Sequence, residues 1–331
     1  MDLVETKEAF RKALQSARDG GGSVGLVPTM GALHAGHLAL VEAARSGCDC
    51  VAVTIFVNPT QFGDAADLAG YPRDLDTDLE RCRDADVDVV FVPSVAEMYP
   101  AGPTETTVEP GALAQVLEGT SRPGHFVGVA TIVTKLLGLA GSCRAYFGEK
   151  DFQQLAIVRR LVADLDLGVD VVGCPTVREP DGLAMASRNS RLSPPEREAA
   201  ATLWRALRTG RDLIAGGERN PAPVEHAMAG VLRAEPMVDM DYAVVADPVS
   251  LRPVLDIESE VRLLVAAQVG PIRLIDNVAA SLSPVAPATV GPASVGPMSV
   301  GPMSIGPMSI GPMSIGPMSI GPSPAVEEPD R

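Results

Sequence analysis

Cysteine is scarce in this 331-residue sequence and is never paired. The five cysteines (Cys48, Cys50, Cys82, Cys143 and Cys174) are odd in number and scattered, with no Cys-x-x-Cys. They read as buried thiols of a reducing compartment. Histidine is scarcer still, with four residues: His34, His37, His125 and His226. Basic residues are outnumbered, 27 Lys and Arg against 42 Asp and Glu, giving a net charge of −15. No basic stripe stands out. A nucleic-acid partner, which needs clustered Lys and Arg on its phosphates, is excluded. No apolar run approaches the roughly 18 residues that span a bilayer, so a membrane protein is excluded as well. Residues Met1 to Arg18 mix Glu, Lys, Arg and Asp with isolated apolar residues. That pattern predicts an amphipathic helix and not a signal peptide, and the expected location is the cytoplasm.

What the chain has is alternation. Short β-branched runs at Val24 to Val27, Val51 to Val57, Val87 to Val92, Arg144 to Phe147 and Val169 to Val172 are separated by segments of helical periodicity. Those segments are Leu38 to Ser46, Asp76 to Ala85, Phe126 to Ala140 and Phe152 to Leu165. Strand–helix alternation predicts an α/β fold, a Rossmann-like, doubly wound parallel sheet whose ligands bind beyond the carboxyl ends of the strands. The character changes near Val177. Pro194-Pro195 opens a helix through Glu196 to Ile214, and a second helix runs near Val224 to Ala234. Strands follow at Asp241 to Val245, Val261 to Ala267 and Arg273 to Asn277. The expected organisation is a Rossmann-like domain over 1–176 and a smaller C-terminal α+β lid domain over 177–282.

Residues 283–331 are different again. A Gly-Pro-Met-Ser-Ile unit recurs with a period of five. Proline at that spacing forbids helix and removes ladder donors from strands, and the period is too short for a solenoid. The segment reads as a disordered tail, and a slipped extension without function explains it as well as a binding role does.

The most informative run is Pro28-Thr29-Met30-Gly31-Ala32-Leu33-His34-Ala35-Gly36-His37, placed where a buried strand turns into a helix. Gly31 and Gly36 let a ligand approach the backbone. Free N–H groups of the first helical turn, with the helix dipole, favour an anion there. The imidazoles add donors that can be charged near neutral pH. A lone histidine on such a turn is most often a structural hydrogen-bonder. The pair could also be half of a metal site, although no cysteine lies near and zinc wants three or four ligands. The His-x-Gly-His spacing after a strand favours nucleotide phosphate handling. It resembles the HIGH motif of the nucleotidylyltransferase superfamily, which includes the class I aminoacyl-tRNA synthetases.

Further polar segments are Asn58-Pro59-Thr60-Gln61-Phe62 at the end of the second strand, Tyr71-Pro72-Arg73, Arg122-Pro123-Gly124-His125-Phe126 before an apolar helix, and Phe147-Gly148-Glu149-Lys150-Asp151 after another strand. The last is Arg178-Glu179-Pro180-Asp181-Gly182-Leu183-Ala184-Met185-Ala186-Ser187-Arg188-Asn189. With the histidine turn, and in this order and spacing, they make residues 1 to 280 similar to the pantothenate synthetases, the pantoate–β-alanine ligases. The tail lies outside the resemblance.

That resemblance implies ATP-dependent condensation of pantoate with β-alanine through a pantoyl-adenylate, releasing pyrophosphate and then AMP. It implies ATP contacts at Met30, Gly31, Ala32, Leu33, His34, Ala35, Gly36 and His37, with His37 as proton donor and His34 on the phosphates. Gly148, Glu149, Lys150, Asp151, Val177, Met185, Ala186, Ser187 and Arg188 are the other implied ATP contacts. His37, His34, Lys150 and Arg188 form the implied catalytic group. The resemblance also implies that Gln61 and Gln154 hold pantoate and that Gln61 borders β-alanine. Mg²⁺ is implied on the phosphates, mostly water-ligated, with no protein ligand assigned; Asp76 and Asp78 read more readily as surface helix acids than as its support. A homodimer is implied too. In one departure, the family's Met-Ser-Ser-Arg-Asn loop has Ala186 for its first serine, which predicts weaker ATP binding without loss of activity. The rival is another HIGH-motif nucleotidylyltransferase acting on a small carboxylate or phosphate substrate, and a non-catalytic nucleotide-binding regulator is a third reading.

Overall fold

The computed structural model describes residues 1–282 apart from Asp64 and Pro103. The repeat segment, read above as a disordered tail, lies outside the described residues. Strands β1 (Asp2–Val4), β2 (Val24–Thr29), β3 (Cys50–Ile55), β4 (Val89–Phe91), β5 (Cys143–Gly148) and β6 (Val169–Cys174) form one parallel sheet in the order β1-β4-β3-β2-β5-β6.

Alternate residues of each central strand enter opposite cores, which is why these runs are apolar throughout. Val24, Leu26, Ala52, Phe91 and Phe147 pack with Phe10, Leu14 and the helix His125–Ala140 on one face. Val27, Val53, Val90 and Tyr146 pack with Leu40, Val41 and Ala44 of the helix Ala35–Gly47 on the other. The sheet is therefore doubly wound, as its alternation predicts.

Two local readings are corrected. The N-terminal segment is not helical from its start: Asp2–Val4 pairs with Val89–Phe91, and the helix begins at Lys7 behind an N-cap at Thr6. Three residues are too few to show alternation, and the pairing that makes them a strand is long-range. The helix expected over Glu196 to Ile214 is two, Pro194–Ala200 and Thr202–Ala215, separated at Ala201. Ala201 keeps near-helical angles (φ −63°, ψ −13°), and alanine there gives no stop signal.

After the helix Pro221–Arg233, the antiparallel strands β7 (Val238–Ala246), β8 (Val261–Val269) and β9 (Ile272–Ala280) close a smaller α+β part with its own apolar core around Leu203, Leu207, Met228, Leu263 and Val265. No helix among the described residues is long and apolar enough to cross a membrane.

Strand β2 lies centrally. The chain leaves it onto the face covered by Ala35–Gly47, whereas it leaves the neighbouring β5 onto the opposite face, into the helix Phe152–Asp164. The connections diverge between β2 and β5, and a crevice opens at their carboxyl ends.

Candidate active site

The turn after β2 is held in an uncommon conformation. Gly31 (φ +81°) and Ala32 (φ +50°) are both left-handed, and a side chain at Gly31 would press on Asp78 at 2.9 Å. Only glycine adopts such angles without cost, so Ala32 needs an external restraint. Asp78 supplies it: its carboxylate accepts from Ala32 N at 2.8 Å and Leu33 N at 2.7 Å. Thr29 Oγ1 accepts from Gly31 N at 3.1 Å and donates to Thr54 O at 2.7 Å, and Arg81 donates to Leu33 O. Asp78 is 2% exposed. It is therefore neither a surface acid nor, with both oxygens on backbone N–H groups, a support for a metal. It braces the turn.

His34 is the N-cap of the helix Ala35–Gly47. Its Nδ1 accepts from Gly36 N at 3.1 Å, and Nδ1 of His37 accepts from His34 N at 3.3 Å. With Nδ1 occupied as an acceptor, each ring carries its proton on Nε2. Burial, reinforced by Lys150, pushes His34 down to about 4; burial, reinforced by His34, pushes His37 down to about 3. Two expectations change. The imidazoles are neutral donors near neutral pH, not cations. The N–H groups of Gly31, Ala32, Leu33, His34, Gly36 and His37 all have partners within the turn and its brace, so most of the turn's backbone donors are engaged and side chains supply the main donors to an anion here.

Opposite the turn, Asn58 is a buried hub. Its Nδ2 donates to Gln61 Oε1 at 3.1 Å and to Gly128 O at 3.2 Å, and its Oδ1 accepts from Tyr99 Oη at 2.7 Å. At Gly128 any Cβ would meet Thr60 O at 2.3 Å, and this close approach seats the Gln61 turn against the helix His125–Ala140. The Gln61 amide, thus oriented, also reaches Met30 Sδ at 2.9 Å.

These groups line a cavity of about 230 Å³ at the crevice between β2 and β5. Of the sequence-predicted residues, Met30, His34, Gly36, His37, Gln61, Gly148, Lys150, Asp151, Gln154, Val177, Met185, Ala186, Ser187 and Arg188 all lie on its wall. Gly31, Ala32, Leu33, Ala35 and Glu149 do not. Leu33 is core, and Glu149 turns away to Arg262 at 3.0 Å. Its wall combines apolar Val129, Ile132, Val133 and Leu136 with the histidines, Lys150, Ser187 and Arg188. Asp151 is the sole carboxylate on the wall among the described residues. Burial opposes its ionisation, but Lys150 at 3.4 Å and nearby Arg188 hold it below the ordinary carboxylate range. Among the described residues no group of three or more His, Cys, Asp or Glu is placed to hold a metal ion.

The braces of the Lys150 loop escaped the sequence reading. Asn277, 3% exposed on β9, donates through Nδ2 to Glu149 O at 3.0 Å and Lys150 O at 2.8 Å. Its Oδ1 accepts from Arg262 Nε at 2.7 Å, and that guanidinium lies 4.0 Å over the Phe152 ring. Beside it Arg178 forms a two-pronged pair with buried Asp276 at 2.6 and 3.0 Å and stacks on Trp204 at 3.8 Å. No spacing rule links these residues to the loop; an Asn inside an apolar strand is the one local hint.

Comparison with known proteins agrees with this geometry. A family profile described as Pantoate-beta-alanine ligase matches residues 2–279. A pantothenate synthetase of Moorella thermoacetica is 49% identical over 283 residues, 86% of this chain and 100% of that one. One from Deinococcus radiodurans is 51% identical, covering 83% of this chain and 100% of its own. Among crystal structures, a pantothenate synthetase of Thermus thermophilus superposes with TM-score 0.79 at 48% identity, over 84% of this chain and 99% of that one. A Francisella tularensis pantoate-beta-alanine ligase, complexed with beta-gamma ATP and beta-alanine, superposes with TM-score 0.70 at 35% identity, over 84% and 97%. From its matched length, its relatives and its fold, the chain belongs to the pantoate–beta-alanine ligase family.

Proposed function

We propose that the protein condenses pantoate with β-alanine at the expense of ATP, through an enzyme-bound pantoyl-adenylate. The observation that carries this is the make-up of one cavity, whose wall joins neutral imidazole donors, Lys150, Ser187 and Arg188 to the Gln61 and Gln154 amides and to apolar Val129, Ile132, Val133 and Leu136. The cations suit phosphates. The amides beside apolar side chains suit a small hydroxy acid with an apolar body, because an amide both donates to and accepts from hydroxyls.

In the first step a pantoate carboxylate oxygen attacks the α-phosphorus, and the bond to the leaving pyrophosphate breaks. Charge gathers on phosphoryl oxygens, where Nε2–H donors of His34 and His37 with Lys150 and Arg188 stabilise it. In the second step the amine nitrogen attacks the acyl carbon, the C–O bond to AMP breaks, and the nitrogen sheds its protons to solvent. The protein positions reactants and stabilises charge, without a covalent enzyme intermediate.

The residues present fit a Mg²⁺ carried largely by phosphate oxygens and water, and Asp151, the wall carboxylate among the described residues, would support it. Bound there, it would neutralise phosphate charge. Residues 177–282 would act as a lid that brings Met185 to Arg188 onto the nucleotide. The protein would work as a homodimer in the cytoplasm, and light scattering tests the first of these by asking for twice the 34.4 kDa chain mass.

The deciding assay follows AMP release from purified protein with ATP, Mg²⁺, pantoate and β-alanine, omitting each in turn. AMP release that does not require pantoate refutes the reading.

A further inference from the structure

Beyond the cavity lies a second chamber of about 450 Å³, which shares Lys150, Asp151, Ala186 and Arg188 with it and adds Arg122, Glu118 and Arg273. Its buried cations are nearly all matched. Lys150 meets Asp151 at 3.4 Å, Arg188 meets Asp67 at 3.2 Å, and Arg273 binds Glu118 and, at 2.6 Å, Asp241. Arg191 is exposed to solvent. Arg122 differs: it is half-buried and, among the described residues, has no carboxylate at ion-pair distance. A half-buried guanidinium without a counter-charge is costly unless an anion arrives.

Its position is fixed by one strut. Arg122 Nη1 donates to His125 Nε2 at 3.1 Å, and His125 Nδ1–H donates to Gln61 O at 2.8 Å. These roles demand the neutral ring, and burial together with Arg122 pushes His125 down to about 4. The strut ties Arg122 to the backbone of Gln61. A small space of about 40 Å³ brings Arg122 and His125 against Gln154 and Asp151. Arg122 therefore stands beside the Gln154 amide, in a chamber it shares with Lys150 and Arg188. Most of its N–H donors remain unoccupied, in the planar fork that matches a carboxylate.

We infer that Arg122 receives the carboxylate of the amine substrate, so that this guanidinium selects amines bearing an acid group for attack on the acyl intermediate. The inference rests on the reading above and names a specificity-determining residue within it. Pyrophosphate, the other anion of the reaction, is the competing occupant. The place beside Gln154 and the tie to the Gln61 backbone favour the amine's carboxylate, and the shared chamber with Lys150 and Arg188 makes the half-reactions the deciding test.

Half-reactions separate the possibilities. In the parent protein, pantoate-dependent exchange of pyrophosphate into ATP is measured first, without amine. Its absence there refutes the proposed function itself and leaves Arg122 no amine substrate to receive. Given exchange, Arg122→Met and Arg122→Lys are assayed for exchange and for amide formation with β-alanine and with propylamine, which lacks the carboxylate. The expected result is a rise of about 10- to 100-fold in KM for β-alanine, from the loss of a charge-assisted contact. The parent's preference for β-alanine over propylamine should collapse in Arg122→Met and be partly kept in Arg122→Lys, with the loss confined to the amine step. A fall in exchange matching the fall in amide formation would assign Arg122 to phosphates and overturn the inference. An unchanged preference would overturn it too. The thermal midpoint reports folding separately: if Arg122→Met misfolds, the exchange and the preference of Arg122→Lys decide.

Discussion

Replacing Asp78 with asparagine tests the brace of the histidine turn. The carboxylate takes the Ala32 and Leu33 N–H groups at 2.8 and 2.7 Å in a site 2% exposed. Asparagine keeps the shape but turns an amide NH₂ towards one of those N–H groups, leaving a buried donor facing a donor. That costs about 1–3 kcal/mol, and the surviving bond, no longer charge-assisted, loses about 1 kcal/mol more. The expected loss is about 2–4 kcal/mol. At about 2–4 °C per kcal/mol for a domain of this size, the thermal midpoint should fall by roughly 5–15 °C. Ala32 would then relax from its left-handed φ of +50° and carry the His34 cap with it. A displacement of about 1 Å at a reacting group costs about 100-fold, so pantoate-dependent pyrophosphate release should fall about 10- to 100-fold. Exposed Asp76 on the same helix is the control, and Asp76→Asn should change stability by under about 0.5 kcal/mol. An unchanged midpoint in Asp78→Asn, with only a raised Mg²⁺ requirement, would show Asp78 to be a metal support and refute the brace.

Ala186→Ser restores a hydroxyl to the phosphate loop and should lower KM for ATP about fivefold, the worth of one hydrogen bond of about 1 kcal/mol; steady-state kinetics at saturating pantoate read it. Asn277→Leu removes the two bonds to Glu149 O and Lys150 O, and should raise KM for ATP about tenfold while leaving KM for β-alanine near the parent value; an equal rise in both would mean a general structural role. His34, His37 and His125 all have folded-state values below the ordinary 6.5, so below that pH the unfolded chain takes up protons that the folded one refuses. Their stabilising contribution is complete above about pH 6.5 and is lost as the pH falls towards 4, and thermal midpoints across that window should drop, less so with a bound ATP analogue whose phosphates favour the protonated rings.

The parallel sheet is legible because both of its signals are local. Val51 to Val57 reads as a strand from its own residues, and Phe126 to Ala140 as a helix from its own period, so the alternation needs no knowledge of partners. The histidine turn is legible for the same reason: its glycines and imidazoles lie within ten consecutive residues. What failed was local polarity read as local purpose. Asp78 sits on an acidic helix with Asp76 and looks like a solvated face. Its role appears only when Ala32 and Leu33, more than forty positions earlier, are brought to it.

The same reasoning explains why the missed residues concern the site. Loops at the carboxyl ends of strands leave the sheet's hydrogen-bond ladder, and their backbone groups must find partners elsewhere. Apolar periodicity cannot specify those partners, since any polar side chain within reach will serve. The Lys150 loop finds Asn277, and Asn277 in turn needs Arg262, whose charge is completed by Glu149 of the loop itself. The smaller sheet thus fixes where the Lys150 loop stands, although β8 and β9 contribute no side chain to the cavity wall. With most of the turn's own N–H groups already occupied, anion affinity at this crevice falls mainly to Lys150, Arg188, Ser187 and two neutral imidazoles. The precision of those side chains then depends on braces distant in sequence, Asp78 for the histidine turn and Asn277 for the Lys150 loop, which is why a reading confined to motifs finds the chemistry before it finds what holds the chemistry in place.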